Sequence, residues 1–549
     1  MRRMSLMDAF FLINESSRTP MHVGGINLFT LPEGVDEPEF LHSLADALRH
    51  DGEMRRPFGE KLKMGPLGAL GPVKWEVDDQ LDLEYHIRHS AVPAPGRYRE
   101  LFTLVSRLHA TLLDRSRPLW EMHLIEGLQN RQFATYFKVH HCAIDGVGAM
   151  HLTNSMLSTD PNERIARSPF SIEAYEDYKA QLKQRAAPID PKESELKAVT
   201  DILREQLGGT VHVASALRRY ASVWAGRNNS LSVPWHKVPN TPFNAKITGA
   251  RRFVAQSWPL ERVKRAGKAF DGTLNDAVLF MCSGALRMYL ERHAELPDES
   301  LKAMAPISLR PADDVDSANA IAFLTADLAT HIADPEKRMR AIQESMRAGK
   351  EQLAGMSRRE IEIYTTLTQA PALLSTMTGM ASKFPAFSTV ISNVPGPREQ
   401  LYWNGAKLDG IYPVSIPFDG FSTNFTLVSN NGQLDFGIVA CRRTLPQVQR
   451  LIDYMEEALQ ELELAAGIKP PADKMAAVKR KPVARKVGSA AKKVAVKKKA
   501  AVKAPAKAKA AKKSPAKKAV AQKAAAKKAA PKKAAVKKPA AKKAADSAA

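Results

Sequence analysis

Three features predict an α/β chain built from two mixed-sheet domains and a long basic appendage. Alternating β-prone runs recur within residues 1–161 and again from residue 246, each set interleaved with runs of helical period. Between them, Asn162 to about Lys237 is charged and mostly helical in pattern, with prolines at Pro188 and Pro191. Beyond residue 470 the composition shifts to Ala, Lys, Pro and Val, which cannot bury a core. The expected organisation is therefore an N-terminal domain over 1–161, a helical connector over 162–245, a second domain over 246–470 and a disordered tail over 471–549. A ligand cleft between two such domains is the default expectation.

The formal charge of +23 on 549 residues is unevenly spread. Lys474–Ala549 holds 27 of the 81 Lys/Arg and one acid, Asp546, which leaves 54 basic and 57 acidic residues for the body, a net −3. The basic balance therefore describes the tail. Cys142, Cys282 and Cys441 are few, odd in number and far apart, so no disulfide framework is implied and a reducing compartment fits. No apolar run is long enough to span a membrane. Arg2 and Arg3 precede apolar residues, but Asp8 interrupts them and no small-residue cleavage site follows, unlike a signal peptide. A cytoplasmic protein is expected, with the inner membrane face or lipid inclusions as surfaces it can touch.

In chain order, Ser5-Leu6-Met7-Asp8 resembles a capping box opening a short helix through Phe11. Met21–Phe29 reads as a strand whose Gly24-Gly25 marks either a close approach to the backbone or a bulge. A helix through Phe40–Leu48 follows, then strand-like Trp75–Val77 and an extended candidate over Leu83–His89, whose His86 and His89 read as structural. Arg99–Leu113 is an amphipathic helix with Leu101, Leu104, Val105, Leu108 and Leu112 on one face. Trp120–Glu126 and Phe133–Val139 form a hairpin about Leu128–Arg131, and a helix runs from about Val147 to Leu157.

In the second domain, Thr273 caps a buried-looking helix over Ala277–Leu290, with Asp276 at its third position. Met304–Leu309 and Ile321–Leu328 are strands, and Glu336–Leu353 is a charged helix. Ile363–Lys383 is rich in Met, Leu and Thr and reads first as core, then as a lipid-facing surface or a channel wall. Phe387–Asn393 is strand-like. Lys407–Ile416, Asn424–Ser429 and Gln433–Val439 suggest a meander, the last two joined by an Asn431-Gly432 turn. A helix starting at Pro446 closes the body.

The chemistry concentrates in His140-His141-Cys142-Ala143-Ile144-Asp145-Gly146, at the end of the second hairpin strand. A strand ending in a turn holds an imidazole rigidly, and histidine titrates near operating pH, so His141 suits general-base work. Asp145 and Gly146 suit the turn, Asp through local hydrogen bonds and Gly through tolerance of positive φ. The plain alternative is a satisfied histidine pair at a strand end. A metal site has less support, since no third and fourth ligands stand at zinc-type spacing and neither H-E-x-x-H nor paired C-x-x-C occurs. A G-x-S-x-G elbow is also absent.

Taken with Met4-Ser5, Asp8, Phe11-Leu12, Pro118-Leu119-Trp120, Asn275-Asp276, Pro306–Arg310, Ser392–Pro397, Tyr412–Ser415 and Leu434–Gly437, this motif makes Ser5 to about Gly467 resemble the bacterial wax ester synthase/acyl-CoA:diacylglycerol acyltransferase family. That family belongs with chloramphenicol acetyltransferase-like and condensation-domain enzymes. The sequence departs from many relatives at Ala318-Asn319 and at Cys441-Arg442-Arg443. The resemblance implies two chloramphenicol acetyltransferase-like domains and transfer of a fatty acyl group from acyl-CoA, as co-substrate, to diacylglycerol or a long-chain alcohol. It implies His141 as base with His140 supporting, no bound cofactor, and Asp145 as a structural carboxylate for which Arg310 is a candidate partner. Asn275 and Ser392 are candidate oxyanion donors.

The tail resembles linker-histone tails in composition only. Its recurring lysines suit polyanions, whether nucleic acid, polyphosphate or anionic headgroups. A tether to a membrane or inclusion surface is the simplest role, beside a dispensable, solvating extension. Two further readings stand beside the main one: a stand-alone condensation-type acyltransferase with another acceptor, and a polyanion-binding protein with a degenerate enzyme body.

Overall fold

The alternating runs assemble into two six-stranded mixed sheets and one small three-stranded sheet. The structure is a computed structural model that describes residues 2–4, 6–50, 52–66, 68–69, 71, 73–185, 212–228, 230–308 and 321–470. Its strands begin with β1 (Arg2–Arg3), β2 (His22–Thr30), β3 (Glu60–Lys63), β4 (Lys74–Val77), β5 (Ile87–Ala91), β6 (Trp120–Glu126), β7 (Gln132–His140) and β8 (Arg251–Pro259). They continue with β9 (Lys302–Ser308), β10 (Ile321–Asp327), β11 (Thr389–Val394), β12 (Tyr402–Trp403), β13 (Ala406–Val414), β14 (Thr423–Asn430) and β15 (Gln433–Cys441). Helices α1 (Leu6–Asn14), α2 (Glu37–His50), α3 (Leu83–His86), α4 (Tyr98–His109), α5 (Gly146–Ser155) and α6 (Ile172–Arg185) belong to the first part of the chain. The second part carries α7 (Leu260–Lys268), α8 (Leu274–His293), α9 (Pro335–Leu353), α10 (Arg358–Met377) and α11 (Arg450–Ala465).

The first large sheet has the order β12-β13-β2-β7-β6-β5 and the second β10-β9-β11-β14-β15-β8. Strand β7 is central in the first and buried along its whole length. Its period of two feeds two cores: Phe133, Phe137 and Val139 enter one, Ala134 and Tyr136 the other. Such burial on both faces fixes the register, and with it the place where the histidines emerge. In the second half α8 is buried on all sides, which is why its sequence lacks a polar stripe. The Thr273 capping box with Asp276 forms as expected, with Asp276 N–H on Thr273 Oγ1 at 3.2 Å and Thr273 N–H on Asp276 Oδ2 at 2.8 Å.

The expected meander is only half correct. The β14–β15 hairpin turns at Asn431-Gly432, but β13 leaves it and pairs antiparallel with β2, so Tyr402–Val414 extends the N-terminal sheet. One reason is that β14 is flanked on both sides, by β11 and β15. Another is a pair of residues in β15. Asp435 accepts the Ile411 N–H at 2.8 Å, while a Cβ on Gly437 would stand 1.8 Å from the Pro413 carbonyl oxygen. The Leu434–Gly437 motif thus fastens a crossing of strands from two sheets.

Other expectations shift. Leu83–His86 is a helical turn rather than extended, and the strand begins at Ile87. The closing helix begins at Arg450, with Pro446 in the turn before it. The Ile363–Lys383 stretch is not simply core: Tyr364 and Thr368 are buried, whereas Ile363 and Leu367 are 44% and 53% exposed. His86 and His89 are structural in their contacts, His86 bonding the Trp120 carbonyl oxygen and His89 lying 3.3 Å from Glu126. Gly24 and Gly25 sit in unbroken register opposite β7. A Cβ would meet the Phe137 carbonyl oxygen at 2.4 Å in one and the Phe137 ring at 2.8 Å in the other, so close approach and not a bulge explains them. Ser5, Leu309, Arg310, Ala318-Asn319, residues 186–211 and residues 471–549 lie outside the described residues, and with them the Ser5 cap, the Arg310 assignment, part of the connector and the tail.

Candidate active site

Strand β7 ends at His140, and His141 opens the turn that follows. That turn is pinned from two sides: the His141 N–H donates to the Met21 carbonyl oxygen at 2.8 Å, and the Ala143 N–H donates to the His140 carbonyl oxygen at 2.9 Å. Asp145 then caps α5, its carboxylate accepting the Gly148 N–H at 2.6 Å. Gly146 is the first residue of that helix and is not among the positive-φ glycines, so its expected conformational role does not hold. What it provides is space. It lines the cavity, and a Cβ there would only touch Val394, at 3.9 Å.

The His141 ring is half-buried and lies flat on Phe11 of α1, with centroids 4.1 Å apart and planes 4° from parallel. Burial lowers its pKa below the usual histidine value. Its own backbone and the Asp145 carboxylate act against that, and His140 adds to it. The ring is therefore neutral, and basic, at pH 7.

His140 is fully buried. Its Nδ1 accepts the Cys142 N–H at 3.2 Å, and its Nε2 lies 3.4 Å from Glu15 Oε1. Glu15 also accepts the Met21 N–H at 3.1 Å and two Arg115 donors at 2.9 and 3.1 Å. Burial pushes the Glu15 carboxyl up, but His140, Met21 and Arg115 together outweigh it and hold the pKa below the usual range. Helix α1 and the residue that follows it thus hold the histidine pair, with Phe11 on His141 and Glu15 by His140. The Cys142 thiol is buried and its pKa is raised well above the usual value, first by burial and then by Asp8 and Glu15, so it is poorly suited to nucleophilic attack.

Beside the turn is a largely apolar cavity of about 70 Å3 that opens to solvent. Gly24, Gly25 and Phe137 come from the N-terminal sheet, Gly146, Ala149 and Met150 from α5, and Val394, Pro413, Ser415 and Thr426 from the C-terminal part of the chain. Ser392 pairs in parallel register with Thr426 and shares the strand face of Val394, which places it on the cavity side of β11. Asn275 is half-buried at the start of α8, where neighbouring Gly272 packs on Met339 and Gln343, and it does not line the cavity. Sequence reasoning missed Glu15 and Arg115. Neither carries a local signal, since their meaning lies in a contact across 100 residues.

The chain is similar in sequence and fold to known proteins. Residues 4–278 match the wax ester synthase/diacylglycerol acyltransferase catalytic domain, and residues 317–463 the C-terminal domain of the same family. A probable diacylglycerol O-acyltransferase (tgs2) of Mycobacterium tuberculosis is 42% identical over 463 residues, 84% of this chain and 98% of the relative. The O-acyltransferase WSD of Acinetobacter baylyi is 40% identical over 465 residues, covering 84% and 97%. The solved structure of the wax ester synthase/diacylglycerol acyltransferase from Marinobacter aquaeolei VT8 superposes with a TM-score of 0.68 at 40% identity, covering 85% of this chain and all of that one. A condensation domain of the calcium-dependent antibiotic synthetase shares the fold, with a TM-score of 0.52 at 14% identity. The chain belongs to the wax ester synthase/diacylglycerol acyltransferase family.

Proposed function

We propose that the protein transfers a long-chain acyl group from acyl-CoA to the hydroxyl of diacylglycerol or a long-chain alcohol, with His141 as general base. The observation that carries this reading is a neutral, half-buried imidazole on a pinned turn, beside an apolar cavity. An alcohol is a weak nucleophile at neutral pH. The base takes its proton as the oxygen attacks the thioester carbonyl. The tetrahedral intermediate then collapses, the C–S bond breaks, and the imidazolium returns the proton to the leaving thiolate. No covalent enzyme intermediate is needed when both substrates are held together.

His140 is a positioning residue in this scheme, since it touches Glu15 and the Cys142 N–H. Asp145 shapes the turn, and Arg310 is proposed as its partner. Ser392 is favoured over Asn275 as oxyanion donor because of its cavity-side register. The pH dependence of kcat/KM tests the base: activity should fall on acidification with an apparent pKa below the usual imidazole value, and a profile flat to pH 5 would refute it.

The chain is further proposed to work at a lipid surface, held by its basic tail. Both acceptor classes are water-insoluble, and among the described residues no helix is long and apolar enough to cross a membrane. The tail's lysines suit anionic headgroups. Flotation with phosphatidylglycerol vesicles should recover the full chain and leave a form ending at residue 470 in solution. Equal recovery of both would count against tethering.

A further inference from the structure

Arginines gather where helix α4 packs on strand β8. The packing itself is apolar and specific: Phe102 meets Phe253 edge-on at 5.3 Å, and the Phe253 N–H donates to Ser106 Oγ at 2.9 Å. On the outer side of that contact, half-buried Arg252 reaches Thr103 Oγ1 of α4 at 3.5 Å. One helical turn to either side of Thr103 stand Arg99 and Arg107, both exposed. Arg252 pairs across the sheet with Ala440, and Arg442 follows two residues later, its N–H donating to the Ala250 carbonyl oxygen at 3.0 Å. After burial, the charges of Arg442 and Arg99 are what work against protonation of Arg252, so both lie close enough to Arg252 to be felt there.

A group of like charges is costly unless something neutralises it. Arg262, by contrast, is matched by Glu456 and Glu463. No carboxylate pairs with Arg99, Arg107, Arg252 or Arg442 among the described residues. The cluster is also connected to the reaction centre. Helix α4 spans about 15 Å from Arg99 to His109, of the order of an extended pantetheine arm. At its far end His109 bonds the carbonyl oxygen of cavity-lining Ser415 at 3.0 Å, and its own carbonyl oxygen accepts from His22 Nε2 at 2.7 Å. His22 in turn lies opposite His140 in the sheet.

We infer that Arg99, Arg252 and Arg442, with Arg107 beside them, form the site for the phosphate groups of the acyl-CoA donor, while its pantetheine arm follows α4 to the cavity. Guanidinium forks match phosphate oxygens two at a time, and a ligand carrying three phosphates supplies the missing counter-charge. The inference rests on the acyl-CoA reading above.

The test compares two donors in the full-length protein, palmitoyl-CoA and the phosphate-free palmitoyl-pantetheine, with hexadecanol as acceptor. In a triple variant (Arg99→Gln, Arg252→Gln, Arg442→Gln) KM for palmitoyl-CoA should rise about tenfold or more with kcat retained, while kinetics with palmitoyl-pantetheine stay unchanged. Calorimetry with free CoA should show the same loss of affinity. That arm keeps the site testable if the unmutated protein makes no ester, an outcome that would defeat the reading of the reaction and not the site. Unchanged KM and unchanged CoA affinity would overturn the inference. So would equal loss with both donors, which means a damaged seam. Unchanged KM with weaker binding to phosphatidylglycerol vesicles would overturn it too, by assigning the arginines to lipid headgroups.

Discussion

On the N-terminal side of the cavity, β7 delivers two histidines into a web of polar contacts: His140 to Glu15, Glu15 to Arg115, and backbone N–H groups to both. On the other side, β13 and β14 present Ile411, Pro413, Val414, Thr426 and Val428, and the chief ionisable group behind them is Asp435, fully buried. The first wall holds a titrating side chain still. The second holds an apolar surface in place, and its polar groups serve strand placement. The two walls should therefore fail differently: damage to the first costs turnover before stability, and damage to the second costs stability and cavity shape first.

The sharpest break of that contrast is Gly437→Ala. Its methyl group would stand 1.8 Å from the Pro413 carbonyl oxygen, and backbone cannot swing aside as a flexible side chain does. A loss of about 3 kcal/mol is expected, read as a lower midpoint in urea unfolding. An unchanged midpoint would mean that the β13–β15 crossing is soft.

Asp435 offers a subtler probe of the same wall. Burial raises its pKa to about 6, against the opposing hydrogen bonds from Ser257, Ile411 and Asn430. A carboxyl raised in the folded state stabilises when protonated, so its contribution is full below its unfolded pKa and is lost as pH rises through about 6. The unfolding free energy of the unmutated protein relative to Asp435→Asn should therefore fall by roughly 2–3 kcal/mol between pH 4 and pH 7. A difference that rises with pH would show that Asp435 has a charge partner.

On the histidine-bearing wall, Glu15→Gln keeps the shape of the side chain and removes the charge beside His140 and Arg115. Turnover is expected to fall about tenfold, of the size of a lost charge-assisted hydrogen bond, with a smaller change in unfolding midpoint. If stability falls and the turnover of the folded fraction does not, Glu15 is scaffold only. The smallest effect is expected from Phe11→Leu, which replaces the flat face under His141 with another apolar surface. A few-fold drop in kcat with KM unchanged would mark ring orientation as its role.

Local patterns were legible in the sequence. The hairpin that ends in His140-His141, the Thr273–Asp276 cap and the Asn431-Gly432 turn each depend on residues a few positions apart, and each is found. The motif around Asp435 and Gly437 was visible but unexplained, because its partners Ile411 and Pro413 sit on a strand of the other sheet. Glu15 and Arg115 carried no signal, since an isolated charge does not reveal which buried histidine it meets. For the same reason sequence alone suggests a meander for β13: adjacency favours that pairing, and the occupied edges of β14 and the contacts of Asp435 and Gly437 with β13 exclude it.

The central claim is that the His141 turn performs acyl transfer to a hydroxyl. The direct measurement is ester formation by the purified full-length protein from palmitoyl-CoA, with hexadecanol and diacylglycerol in parallel, beside His141→Ala. Ester should form with at least one acceptor, the ratio fixing the preferred hydroxyl. The variant should lose on the order of 10²–10⁴-fold in rate with its unfolding midpoint preserved. Undiminished turnover in His141→Ala, or no ester with either acceptor, would contradict it.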